Sequence, residues 1–187
     1  MPVEGSSVPW TAIAALGVSI ISLARTAIID RRAKAERKAS AFDADYGNAV
    51  RDGLRSFEKS LGTLRAFALP SGRDADASRT EMKEMRISWI AAADDLTRLL
   101  GEVDQAVDLQ SPWWQDAFSQ HAQDAEAILS DIDAHSNHSA DQLIAIATAA
   151  KATYDGGLAD IRVRLVEQRK FYTEIKFVDL VKSIWRL

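Results

Sequence analysis

The chain has 187 residues, a formal net charge of −4 and no cysteine. It is long enough to bury the core of one domain, while disulfides, thiol nucleophiles and thiolate metal sites are excluded. Charge is spread unevenly: residues 1–41 carry net +3, residues 42–161 net −11 and residues 162–187 net +4. An acidic middle lacks the clustered Lys and Arg that hold phosphates, so no nucleic-acid partner is expected. Arginine outnumbers lysine 15 to 8, a usage expected of a GC-rich bacterial genome.

After a tail of residues 1–7, the run from Val8 to Ala24 holds no charged residue. As a helix it is about 25 Å long, slightly short of the roughly 30 Å hydrocarbon core of a bilayer. Extending it to Ile29 supplies the length and brings Arg25 inside, close enough to the boundary for its guanidinium to snorkel. The sequence therefore predicts a transmembrane helix over residues 8–29, with Trp10 as an interfacial anchor. Ile13, Leu16, Ile20, Ile21 and Leu23 carry its apolar mass. A cleaved signal peptide fits less well, because the only charged side chain ahead of the run is Glu4 and the positive cluster comes after it.

That cluster, Arg31, Arg32, Lys34, Arg37 and Lys38, forms a basic juxtamembrane segment over residues 30–41. The positive-inside rule then puts the N-terminus outside the cell inner membrane, single-pass, and the rest of the chain in the cytoplasm. The basic side chains are expected to touch anionic membrane lipid. A stripe of small residues, Thr11, Ala15, Ser19, Ser22 and Thr26, is compatible with a homo-oligomer, although no GxxxG is present.

Residues 42–169 read as a cytoplasmic helical bundle. Phe42, Tyr46, Val50, Leu54, Phe57, Leu61, Leu64 and Ala68 recur in steps of three and four, and Pro70 opens a turn. A second helix keeps heptad, coiled-coil spacing at Met82, Met85, Trp89, Ala92, Leu96, Leu99, Val103 and Val107. Ser111 and Pro112 read as the cap and first residue of a third helix carrying Trp114, Phe118, His121, Ala125, Ile128 and Ile132. A fourth begins after the polar run at His135 and turns Leu143, Ala147, Tyr154, Leu158, Ile161 and Leu165 inward, with Gly156 and Gly157 as a place to bend. The expectation is an all-α protein: a single transmembrane helix followed by an antiparallel four-helix bundle with long first and last helices.

The last helix is long enough to overshoot the membrane face unless it bends. Residues 170–187 read as an amphipathic helix with Phe177, Leu180, Val181, Ile184 and Trp185 on one side and a cationic polar face on the other. Such a helix lies along a membrane surface or packs on protein.

Chemistry-bearing constellations are sparse. His121, Asp124, His135, His138 and Asp141 are the one cluster resembling a metal site, but they match no ligand template, and a polar, capped turn accounts for them as well. Asp94 and Asp95, adjacent on a helix, point about 100° apart and do not converge on one substrate. Trp113 and Trp114 suit a core cover, an interfacial anchor or a partner hot spot. The chain carries no P-loop, GxGxxG or GxSxG. The expected role is a non-enzymatic scaffold or adaptor, without cofactor, that binds a protein partner at the inner membrane face. The alternatives are a metal-dependent bundle enzyme using the histidine and carboxylate cluster, and a membrane-active effector.

Overall fold

A computed structural model describes residues 10–64, 75–106, 109, 113–134 and 138–174; the side chains of residues 10–14, 16, 20 and 75 fall outside that description. Helices α1 (Trp10–Phe42), α2 (Asn48–Leu61), α3 (Ala75–Ala106), α4 (Trp114–Ala134) and α5 (Ala140–Thr173) account for almost all of it, and no strand occurs among the described residues. The protein is all-α. A π-helical turn, Asp43–Gly47, joins α1 to α2 without interrupting the helical run. Its extra residue is accommodated by Asp43, which turns to accept from Arg51 and pairs with Arg169 at 3.6 Å. Gly47 permits this, since a Cβ there would stand 2.7 Å from the Asp43 carboxylate.

The chain divides into two compact units, one of Met1–Ala41 with Tyr172–Leu187 and one of Phe42–Phe171. In the second unit the neighbours of each helix fix its direction. Gly53 lies against Leu96 and Leu99, and farther along α2 Ser60 meets Trp89, so α2 and α3 run in opposite senses. Gly101 faces Gln115 at one end of the α3 to α4 contact, and Asp133 meets Arg86, and Lys83 at 3.2 Å, toward the other. Arg162 and Arg169 of α5 reach back to Glu58 and Asp43. These pairs describe an antiparallel four-helix bundle, the packing that short connections favour.

Apolar residues spaced at three and four put one stripe of each helix into a common core. Val50, Leu54, Phe57 and Leu61 of α2 meet Met82, Trp89, Leu96, Leu100 and Val103 of α3 there, together with Phe118, Leu129 and Ile132 of α4 and Leu143, Leu158 and Ile161 of α5. Each large side chain so buried contributes about 1.5–3 kcal/mol. Aromatic rings form the middle of the core: Tyr154 stands edge-on to Phe57 at 5.0 Å and to Trp89 at 6.2 Å, and Phe57 edge-on to Phe118 at 5.9 Å.

The stripes depart from expectation in α3 and α4. Ala93 and Leu100 fill the core where Ala92 and Leu99 were expected, and Leu129 replaces Ile128. A helix of 3.6 residues per turn drifts against a strict seven-residue repeat, so the inward position advances along the chain. The glycine pair in α5 is no bend either, because the helix runs unbroken from Ala140 to Thr173. Gly157 marks a close approach instead: a Cβ there would stand 2.9 Å from the Cβ of His121 and 3.2 Å from the Phe118 ring.

The expected transmembrane helix is not supported. Among the described residues no helix is long and apolar enough to cross a membrane. The physical reason is the density of charge beyond Ile21, where the unbroken run of described side chains starts. Any stretch of bilayer length from there takes in Arg25, Asp30, Arg31, Arg32 and Lys34. The apolar residues Ile13, Leu16 and Ile20, and Trp10 with them, have side chains outside the described residues, as does the whole of the tail over residues 1–7.

Candidate functional site

The described apolar side chains of α1 are not covered by the rest of the chain. Val18, Ile21, Leu23 and Ile29 are 68, 70, 55 and 56% exposed. At about 100° per residue Val18, Ile21 and Ile29 share one side of the helix while Leu23 points away from them, so apolar surface is open on more than one side. Arg25 is exposed among them, with no ion pair among the described residues. The small residues Ala15, Ser19, Ser22 and Thr26 are exposed too, and the Thr26 hydroxyl donates to the Ser22 carbonyl at 3.0 Å, satisfying itself within the helix.

One or two turns on, the surface of α1 becomes cationic. Arg32, Lys34, Arg37 and Lys38 are exposed and Arg31 is half-buried. In the same unit the end of α5 lies beside this segment, where Thr173 and Glu174 line a shallow cavity with Arg32, Ala35 and Glu36. The expected amphipathic face of Phe177, Leu180, Val181, Ile184 and Trp185 lies outside the described residues.

The histidine cluster is not brought together. His121 faces Asp160 of α5 at 3.2 Å and His138 faces Asp131 at 3.5 Å, while Asp124 accepts from Gln120 at 3.0 Å. His135 lies outside the described residues, and among those described no group of three His, Asp or Glu side chains is placed to hold a metal ion. Asp94 and Asp95 diverge as their adjacency requires, with Asp95 pairing with Arg98 at 3.4 Å and Asp94 facing α4.

The two tryptophans at the start of α4 have opposite fates. Trp114 is fully buried, edge-on to Phe42 at 6.4 Å, whereas Trp113 is 66% exposed and holds a left-handed backbone at φ 71°. That conformation costs a non-glycine residue about 1–2 kcal/mol. What holds it is Asp104 at the end of α3, whose carboxylate accepts from the backbone N–H groups of Trp114 and Gln115 at 3.0 and 2.8 Å. Asp104 thus caps α4 from a neighbouring helix, a role the sequence assigned to Ser111, which lies outside the described residues. At α5 the cap is local: Ser139 and Gln142 exchange bonds between side chain and backbone at 2.8 and 3.3 Å, a capping box.

A small groove between α3 and α4 has no counterpart in the sequence pattern. It encloses about 190 Å³. Ile90 and Ala122 form its apolar walls, Asp94 and Glu126 stand on opposite helices, Thr97 and Ser119 add hydroxyls, and Tyr154 of α5 closes the floor. Tyr154 is only 1% exposed, yet its hydroxyl has no hydrogen-bond partner among the described residues and keeps accessible surface toward the groove. Its phenol is pushed up to about 12, first by burial, then by the charges of Glu126 and Asp94, against the opposing pull of Arg86. Finding this groove requires three helices to be placed in register, which no local pattern encodes.

No family model matches this chain, and comparison with curated proteins and with solved structures gives no significant match.

Proposed function

We propose that the protein is a non-enzymatic scaffold or adaptor, held at the inner membrane by the N-terminal half of α1, whose four-helix bundle binds a protein partner on the cytoplasmic side. The observation that carries this reading is the set of branched apolar side chains exposed on more than one side of α1, Val18, Ile21, Leu23 and Ile29. Apolar side chains open on more than one side of a helix are best covered when the helix is surrounded, and a partner groove covers one face where lipid covers several. The cationic run Arg31 to Lys38, next along the helix, is the complement of an anionic lipid surface, with each basic side chain near it contributing about 1 kcal/mol. Residues 8–20, largely outside the described side chains, supply the rest of the apolar length in this reading.

The partner-binding half of the proposal draws on the charge of the bundle. Residues 42–161 carry net −11, and Asp94, Asp95, Glu102, Glu126 and Asp155 are all exposed around a largely apolar core. An acidic surface of this kind selects a basic partner and speeds its encounter. The test is purification of the intact chain from native membranes at moderate salt, followed by mass spectrometry. A basic protein recovered in constant proportion, and lost when salt is raised, is the expected result. Recovery of the chain alone would overturn the adaptor role.

A further inference from the structure

We infer that the groove between α3 and α4, over Tyr154, receives the guanidinium of an arginine side chain from a protein partner. This rests on the adaptor reading and names the chemistry by which the partner is recognised. The groove is too small for a cofactor or a drug-sized ligand, which need about 300 Å³ or more, yet it exceeds what a single water fills. Its polar lining includes acceptors suited to a cation, the carboxylates of Asp94 and Glu126 on facing helices and the hydroxyl oxygens of Ser119 and Tyr154, beside Thr97 and the amide of Gln123. A guanidinium offers five N–H donors in a plane and no acceptor, so it can bridge two carboxylates and a phenol oxygen at once, which a compact ammonium does less well. The wall at Ile90 takes the methylene stem of the same side chain.

Tyr154 is the second, independent sign of a ligand. A buried polar group without a hydrogen bond is costly, and native structures rarely leave one. Here the floor of an acidic groove is Tyr154, 1% exposed as a residue, whose hydroxyl keeps some surface open and has no partner from this chain among the described residues. Several acids nearby are occupied: Asp95 and Glu102 share Arg98, Asp133 holds Lys83 and Arg86, and Glu58 holds Arg162. Asp94 and Glu126 have no such ion pair among the described residues. Arg86 acts on Tyr154 from its pair with Asp133, and the charge that meets Asp94 and Glu126 is, on this proposal, the partner's.

The experiment measures binding of a fluorescently labelled, alanine-based helical peptide with arginine at every fourth position to the intact protein. The wild type is compared with Asp94→Asn/Glu126→Gln, with Tyr154→Phe, and with the control pair Asp95→Asn/Glu102→Gln on the other side of α3. The groove variant is expected to weaken binding about tenfold and Tyr154→Phe about threefold, with the control pair changing it less than about twofold. All substitutions preserve shape, and circular dichroism verifies the fold. Equal loss in the groove and control variants, or no binding of the arginine peptide to the wild type, overturns the assignment. If the membrane-derived partner is still captured equally by wild type and groove variant, the adaptor reading stands and the groove assignment alone falls.

Discussion

The indole Nε1 of Trp89 donates to the backbone carbonyl of Ser60 at 2.9 Å, tying α3 to the C-terminal turn of α2. Ser60 also accepts from the Thr63 hydroxyl at 2.7 Å, so its oxygen keeps a partner if the indole is lost. Trp89→Phe should therefore cost only about 1–2 kcal/mol, the hydrogen bond and a modest packing change. Trp89→Ala empties the centre of the aromatic cluster and should cost about 3–5 kcal/mol. Urea denaturation of both variants distinguishes a ring that mainly fills space from one that mainly bonds.

The glycine pair in α5 offers a sharper contrast between neighbours. At Gly157 a methyl group would meet the His121 Cβ at 2.9 Å, and both helices would have to part. Gly157→Ala is expected to destabilise by about 1–3 kcal/mol. At Gly156 the nearest atom is the His121 ring at 3.5 Å, an ordinary contact, so Gly156→Ala should stabilise by about 0.8–1 kcal/mol through helix propensity. Opposite shifts in thermal midpoint verify the register of α4 against α5.

Asp104 caps α4 from the end of α3 by accepting two backbone N–H groups. Asp104→Ala leaves both donors without that partner at a half-buried helix start and should cost about 1–2 kcal/mol. Because the same carboxylate secures the left-handed Trp113, fluorescence of the variant should also show an altered environment around the tryptophan pair. Asp104→Asn keeps one acceptor and should recover part of the loss.

The raised phenol of Tyr154 links stability to alkaline pH. Its proton is held to about 12 in the folded chain and released near 10.0 from an unperturbed tyrosine. The associated stability is complete below about pH 10 and is lost as pH rises through 12, a loss approaching about 3 kcal/mol. Tyr154→Phe should flatten that part of the profile relative to wild type. Asp94→Asn/Glu126→Gln, which removes two of the charges raising it, should move the tyrosine absorbance titration downward.

How much of the molecule was legible in the sequence depends on the distance over which each cause acts. Helix content and most of the inward positions arise from spacing, and they were readable from Phe42, Leu54, Met82, Trp89, Tyr154 and their neighbours. The exchange of Ala92 and Leu99 for Ala93 and Leu100 was not, because a seven-residue template ignores the drift of a 3.6-residue helix. The cap from Asp104 and the groove over Tyr154 depend on side chains from different helices meeting in space. His121 and His138, which the sequence pattern could only group by nearness along the chain, face different carboxylates, Asp160 and Asp131.

The central claim is that the N-terminal half of α1 is surrounded by lipid. Its most direct measurement is cell fractionation, with an alkaline carbonate wash, of the full chain against a chain lacking residues 1–29. The account predicts that the full chain stays in the washed membrane pellet, while the shortened chain is soluble and its bundle melts at the same temperature. Finding the full chain in the soluble fraction alongside the shortened one would contradict it.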